Sequence, residues 1–254
     1  MKRGIIPSFM RCVECDDLVR LGRDNDGGYL VCDRDVMKTD LLIALGINND
    51  WSFEEDFVGR RACPIVAYDG TISGAQFLKS AIRRSLRIGR PRSWLARWST
   101  YFGYKRFFAG ERKHIRKNVG LGYEASQVSM KRILGEQSQR SVFLKIDIEG
   151  SEYEILEDLI NEQARFTGMV IEFHDCDLHL DRIEAFIESV RMPIVNVHAN
   201  NFEKLNGDAL PRVLELSFSS SVDPSVDSYV ATLPHSLDMP NNPDEEEISL
   251  EFLP

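Results

Sequence analysis

The sequence predicts an α/β fold built on one doubly wound, mostly parallel sheet with helices on both faces. Three observations predict it. Short continuous apolar runs recur, such as Leu41–Leu45, Pro64–Tyr68 and Val142–Asp147, the form taken by strands buried on both faces. Helix-like segments alternate with them. Nearly every run ends in a polar cluster, and beyond the strand ends is where such sheets gather ligands.

The elements follow in order. Gly22-Arg-Asp-Asn-Asp-Gly-Gly28 is a turn joining Leu18–Leu21 to Tyr29–Cys32 as an N-terminal hairpin, 18–33. Leu41–Leu45 is the first core strand. Glu54–Arg61 reads as a helix with acids near its start, and Pro64–Tyr68 is a strand ending at Asp69. Ser73 suits the cap of a helix over Gly74–Arg84. A basic segment, 83–112, carries Trp94, Trp98, Tyr101, Phe102, Tyr104, Phe107 and Phe108. It reads as a partly helical insertion whose aromatics pack it onto the body. His114–Leu121 is a strand, Ser129–Leu134 a helix, Val142–Asp147 a strand and Glu152–Asn161 a helix. Met169–Phe173, Asp181–Val190 and Pro193–Val197 repeat the alternation. Arg212–Phe218 and Tyr229–Leu233 read as the last two strands. The Pro-rich, acidic tail, 234–254, is expected to lie extended on the surface or to be mobile.

Composition sets outer bounds. With 43% apolar residues in 254, the chain has enough material for a real core, which excludes global disorder. No apolar stretch is long enough for a membrane span, and the first twenty residues lack a secretory core, so a cytoplasmic protein is expected. Net charge is -9, a poor match to non-specific nucleic-acid binding, so nucleic acid is not an expected partner. Arg83 to Lys117 nevertheless holds 12 Lys+Arg and one acid. That lobe is either a solvated face or a surface for an anionic ligand, such as a nucleotide diphosphate or an acidic glycan. Five cysteines at wide spacing are not a disulfide scaffold, and Cys12-Val-Glu-Cys15 lacks a second ligand pair for zinc. Both read as ordinary reduced thiols.

The strand-end clusters carry the chemistry. They are Gly46, Asn48, Asn49 and Asp50; Asp69 and Gly70; Asp147, Glu149 and Gly150; Glu172, His174 and Asp175; and His198, Asn200 and Asn201. Gly46 permits close backbone approach of a ligand. Asp69 sits where nucleoside-binding folds hold ribose hydroxyls. A dinucleotide site would need Gly-x-Gly-x-x-Gly, and the chain offers Gly46-Ile-Asn-Asn-Asp-Trp51. A ligand with ribose and adenine but no pyrophosphate fits better, which points to S-adenosylmethionine.

Phe143-Leu-Lys-Ile-Asp-Ile-Glu-Gly-Ser-Glu-Tyr-Glu-Ile-Leu156 resembles the hallmark segment of FkbM-type methyltransferases. The Gly22–Tyr29 turn, Leu45–Glu54 and Ile171–Asp175 are similar to segments of related members. His198-Ala-Asn-Asn-Phe202 and Leu237–Pro243 resemble members associated with sugar and polysaccharide clusters. The likeness runs over 18–243, with the basic insertion the least typical part. It implies one Rossmann-like methyltransferase domain, 1–254, with a seven-stranded sheet whose last strand is antiparallel. It also implies O-methylation of a sugar hydroxyl on a nucleotide-sugar or glycan. Gly46, Asn48 and Asp50 would lie along the methionine part of the cofactor, with Gly28 and Tyr29 closing over that end. Asp69 would hold the ribose, and Asp147 would face the methyl group.

A sugar hydroxyl is a weak nucleophile and needs a general base or a metal ion. Asp147, Glu149, His174, Asp175 and His198 can supply either. Asp147, His174 and His198 are the catalytic candidates, and Asp147, Glu149, His174 and His198 are the ligands for a divalent ion such as Mg or Mn. The residues alone do not separate base from ligand. Glu149 and Glu152 also suit a helix N-terminus through its dipole. His179 reads as a surface residue, and His114 and His235 as structural. The competing functions are methylation of another small molecule or a lipid, a non-catalytic cofactor-binding relative, and methylation of nucleic acid.

Overall fold

Leu41, Ile43 and Leu45 enter one hydrophobic core, while Leu42 and Ala44 enter another. Side chains alternate across a strand, so a continuous apolar run must be covered on both faces. The computed structural model describes residues 1–85, 91–223 and 228–253. Its strands are β1 (Lys2–Ile6), β2 (Leu18–Leu21), β3 (Tyr29–Cys32), β4 (Leu41–Leu45), β5 (Ile65–Tyr68), β6 (Arg112–Ile115), β7 (Asn118–Val119), β8 (Gln127–Val128), β9 (Val142–Ile146), β10 (Phe166–Phe173), β11 (Ile194–Ala199), β12 (Leu214–Ser219) and β13 (Ile248–Phe252). Its helices are α1 (Asp33–Lys38), α2 (Ser52–Arg60), α3 (Gly74–Ser85), α4 (Pro91–Phe107), α5 (Met130–Gly135), α6 (Leu156–Glu162) and α7 (Leu180–Ser189).

Seven strands form the central sheet in the order β11-β12-β10-β9-β4-β5-β6. β10, β9, β4, β5 and β6 run parallel, and β12 lies antiparallel between β10 and β11. One face is covered by apolar residues of α5, α6 and α7, including Ile133, Leu159 and Phe186. The other is covered by Val36, Phe53, Phe57 and Phe107, together with Tyr29 and Val31 of the hairpin. Local chemistry starts the helices. The Ser73 hydroxyl accepts from the Gln76 N–H (3.2 Å) ahead of α3, and the Ser129 hydroxyl accepts from the Arg132 N–H (3.3 Å) ahead of α5. The β2–β3 hairpin closes through Gly22 at φ +92°, where a Cβ would meet the Gly27 carbonyl at 2.4 Å.

Several expectations need correction. The strand placed at Tyr229–Leu233 is not one. Tyr229 makes a lone bridge to Val13, and Leu233 a lone bridge to Leu250. The acidic tail is not loose up to residue 253. β13 pairs in parallel with β1, and Ile248 and Leu250 are buried. Asn241 is 2% exposed and donates to Glu215 Oε1 at 2.6 Å. A pairing between segments this far apart leaves no local pattern to read. The strand expected over His114–Leu121 stops at Ile115, and Asn118–Val119 pairs separately with β8. The helix expected from Glu152 opens with a single tight turn, Glu152–Glu154, before α6. The basic insertion is the α3–α4 pair; its residues 86–90, and residue 254 of the tail, lie outside the described residues. All five cysteines are free, and Cys15 partners Cys32 rather than Cys12. Both thiols donate to Asp17 Oδ1, at 3.1 and 3.3 Å.

Leu250 is 5% exposed, so Leu250→Ala should lower the unfolding free energy by about 2–3 kcal/mol in a denaturant titration. A value near zero would mean that β13 is not part of the cooperative fold.

Candidate active site

The C-terminal ends of β4, β5, β9 and β10 open into one cavity of about 760 Å³. Its walls are the polar clusters that follow those strands. Gly46 ends β4 with φ +75°, and a Cβ there would stand 1.7 Å from the Asp147 carbonyl oxygen. Only glycine lets the loops after β4 and β9 meet. Asn48 follows at φ +42°, a region that Asn tolerates well. Asp50 pairs with Arg23 of the hairpin turn at 2.8 Å and accepts from the Ser52 N–H at 3.1 Å, at the start of α2.

Asp69 ends β5 and organises the loops around it. Its Oδ2 accepts from the Ile47 and Asn48 N–H groups (3.1 and 2.7 Å), and its Oδ1 from the N–H and hydroxyl of Thr71 (2.7 and 2.6 Å). Burial pushes this carboxyl up, but the bonds from Thr71, Asn48 and Ile47 outweigh it and hold the pKa below the usual value.

Beneath the cavity lies a buried charge network. Lys145, the last residue but one of β9, is 5% exposed. Its ammonium donates to the Gly46 carbonyl and to Asp147 Oδ2 (3.4 Å), and it lies 5.7 Å from the Tyr29 ring centre. Burial alone would lower its pKa; the charges of Asp147, Glu54 and Glu172 win and raise it, so Lys145 is a cation. The Tyr29 hydroxyl donates to Glu172 Oε2 (2.9 Å), with a longer contact to Asp147 (3.4 Å). Asn200 donates to Glu172 Oε1 at 2.8 Å. Burial, then Asp147 and Glu215, push the Glu172 carboxyl well above its usual range.

The turn after β9 is held by Glu152, which is fully buried. Its carboxylate accepts from the Ile148 N–H (2.9 Å) and the Gly150 N–H (3.0 Å), and it meets His174 Nδ1 at 3.2 Å. That turn leaves Glu149 at φ +56° with its side chain 82% exposed, an unusual backbone for a non-glycine residue. The Glu149 carboxylate is 3.6 Å from His174 Nε2. One ligand atom each from Asp147, Glu149 and His174 lies within 4.8 Å of the others, a spacing that one metal ion could bridge. Burial lowers the His174 pKa; the Glu152 hydrogen bond and the charges of Glu152, Glu172 and Asp147 overcome it and push it up to about 9.

The sequence-predicted residues divide. Gly46, Asn48, Asp50, Asp69, Asp147, Glu149 and His174 line the cavity. Gly28 and Tyr29 do not line it: Gly28 packs where a Cβ would stand 2.0 Å from the Arg23 carbonyl, and Tyr29 acts from below. Asp175 turns away to Arg212 at 2.6 Å. His198 is 1% exposed and sits between Glu215 (3.0 Å) and Glu247 (3.5 Å), so it stands apart from the Asp147–His174 group. The antiparallel strand β12 inserts Glu215 beside it, and the tail brings Glu247, which is why a strand-end reading misplaced it. Lys145, Glu54 and Arg23 also reach the cavity and went unread. Lys145 had a signal, a charge inside an otherwise apolar strand. Glu54 reads from sequence as one more acid in a first helical turn.

Glu54 is 1% exposed, and its Oε1 has no hydrogen-bond partner among the described residues. Burial pushes its pKa up to about 7, against the pull of Lys145. A carboxyl with a raised folded pKa binds its proton more tightly when folded, so its ionisation removes stability as pH rises from 4.5 through about 7. Glu54→Gln should therefore raise the melting temperature of the ligand-free protein at about pH 8, with the gap closing toward pH 4.5. A pH-independent gap in thermal scans would contradict this.

A search of curated proteins finds no match. Among solved structures, the chain is similar to an rRNA methylase from Streptococcus thermophilus, at 9% identity and a TM-score of 0.38, over 74% of this chain and 93% of that one. It is also similar to precorrin-6y C5,15-methyltransferase from Geobacter metallireducens, at 14% identity and a TM-score of 0.36, over 74% and 84%. A mutant of the 16S rRNA (adenine(1408)-N(1))-methyltransferase from Catenulisporales acidiphilia gives 10% and 0.32, over 75% and 92%. The model of the methyltransferase FkbM domain matches residues 65–202, more than half of the chain, with the strand ends from Asp69 to Asn201 inside it. The chain thus belongs to the FkbM methyltransferase domain family.

Proposed function

We propose that the protein is a single-domain, Rossmann-like O-methyltransferase that moves a methyl group from S-adenosylmethionine to a sugar hydroxyl of a nucleotide-sugar or glycan. The observation that carries this reading is the cavity at the strand ends, where carboxylates outnumber cations and Asp147 stands over a buried lysine. The cofactor carries a sulfonium and an ammonium, and an acid-rich wall favours both. The unpaired Glu54 Oε1 is an acceptor suited to the ammonium, and Arg23 to the cofactor's carboxylate. Gly46, Asn48 and Asp50 border the methionine part, and Gly28 lets the hairpin turn close beside it. Asp69 takes the ribose diol by exchanging the donors of Thr71 for ribose hydroxyls.

S-adenosylmethionine, when bound, supplies a methyl carbon already activated by its sulfonium. The task of the chain is to align an acceptor hydroxyl with that carbon and exclude water. Asp147 is the group that meets the acceptor. Tyr29 and Lys145 hold it from below and keep its carboxylate aimed into the cavity. Asp147, Glu149 and His174 form a donor set suited to Mg or Mn, an ion that lowers the pKa of a coordinated hydroxyl. The polar wall, including Asn200, suits a polyhydroxylated acceptor better than an apolar one.

Conversion of S-adenosylmethionine to S-adenosylhomocysteine across a nucleotide-sugar panel, with Mg or Mn and with EDTA, tests this. The expected result is turnover on one sugar that EDTA abolishes. Turnover indifferent to EDTA would transfer the role to Asp147 as proton acceptor, because His174, with its pKa pushed up to about 9, already carries its proton near neutral pH. Cofactor binding without turnover on any sugar would sink the sugar acceptor. Asp147→Asn should cut kcat at least about 100-fold while cofactor affinity changes little. Calorimetry near neutral pH, in buffers of different ionisation heat, should show a proton released on cofactor binding, and Glu54→Gln should abolish that release. Equal proton release in the variant would remove Glu54 from the ammonium site.

A further inference from the structure

Residues 70 to 110 carry nine Lys+Arg and not one acid, in a chain whose net charge is -9. They supply α3 and α4, which pack against each other. α4 buries one face. Tyr104 packs edge-on against Trp51 (5.9 Å) and at a tilt against Phe77 (5.2 Å), and Phe107 is buried. The Tyr104 hydroxyl donates to His114 Nδ1 (2.6 Å), whose Nε2–H donates to the Asp69 carbonyl (3.1 Å). These contacts root the helix beside the cavity.

The opposite face is different. Leu95, Trp98 and Phe102 stand at i, i+3 and i+7, which puts them on one stripe. Leu95 is 54% exposed and Phe102 60% exposed. Trp98 stacks on Phe102 with ring centres 5.6 Å apart, and Tyr101 closes the aromatic group edge-on. Helical spacing sets the exposed Lys105 and Arg106 along the two sides of this stripe. The expectation that all the aromatics of the insertion pack it onto the body holds for Tyr104, Phe107 and Phe108 and fails for Phe102.

We propose that this face of α4 docks the protein on an anionic lipid bilayer, with the helix lying in the headgroup plane. Apolar and aromatic groups in the middle with cations at the sides are what an interfacial helix needs. Charge complementarity selects the partner. The rest of the chain is strongly acidic, so a long polyanion that wrapped the body would be repelled, whereas a flat surface touched only by α3 and α4 is attracted. Leu95 is an aliphatic group that matches hydrocarbon and offers nothing to a stacked base. A second copy of the chain would set like charges against like in a two-fold contact. No described helix is long and apolar enough to cross a membrane, so the contact is peripheral.

Co-sedimentation of the full chain with lipid vesicles tests this. One vesicle set is neutral phosphatidylcholine, and the other contains about 30 mol% phosphatidylglycerol. The expected result is binding to the anionic vesicles alone, weakening as salt rises. Leu95→Glu combined with Phe102→Glu should abolish it, and Lys105→Glu combined with Arg106→Glu should weaken it at least about tenfold. Circular dichroism and cofactor affinity should match the parent in both variants, which separates lost docking from lost folding. A parent protein that stays in the supernatant with anionic vesicles overturns the proposal, as does a Leu95/Phe102 variant that still binds. Parallel arms with a single-stranded RNA and with light scattering for self-association complete the test. An RNA complex or a dimer that only the Leu95/Phe102 variant loses, without vesicle binding, would give the face to that partner instead.

Discussion

The ammonium of Lys145 is buried under the cavity floor, where it joins the Gly46 carbonyl to the Asp147 carboxylate. Glu54 and Glu172 lie close enough to bias its charge. Removing the lysine would leave these acids without their counter-charge and cost about 3–5 kcal/mol. Three loops are tied through this one cation: the glycine turn after β4, the Asp147 turn after β9, and the hairpin through the Tyr29 ring. The same interaction sets the electrostatics. One fixed cation below several carboxylates keeps Asp147 held in place while the wall above it stays acidic.

Two further carboxylates organise the backbone of the ligand-free chain. Asp69 gathers N–H groups from the loops after β4 and β5, and Glu152 gathers those of the turn after β9. Loops at strand ends have no ladder to satisfy them, so buried acceptors do that work. The strained backbone at Glu149 is a product of this arrangement, since Glu152 draws the turn closed on both sides of it. The exposed Glu149 side chain is thereby aimed toward His174.

Charge is partitioned along the chain. The cavity wall is rich in carboxylates, and the cations concentrate in α3 and α4; Gly70 and Thr71, just ahead of α3, border the cavity. A carboxylate-lined cavity therefore sits beside a basic helix pair, linked through Tyr104, His114 and the Asp69 carbonyl.

The sheet was legible because its signals are local. A short β-compatible run such as Leu41–Leu45, set between helix-like segments, reads as a strand covered on two faces, and the polar residues after each such parallel run then stand at one edge of the sheet. Gly46, Asp69 and Asp147 follow from that rule. What the sequence could not determine were properties of distance. The β1–β13 pairing joins the two ends of the chain, so no window contains it. The antiparallel insertion of β12 brings Glu215 to His198 and removes that histidine from the cavity. Glu54 looks like any acid opening a helix until the fold buries it, and Phe102 looks like any core aromatic until the fold leaves it outside. Alternation and strand-end polarity are written in consecutive residues. Burial and partnership depend on which distant segments arrive, and tertiary structure alone decided those.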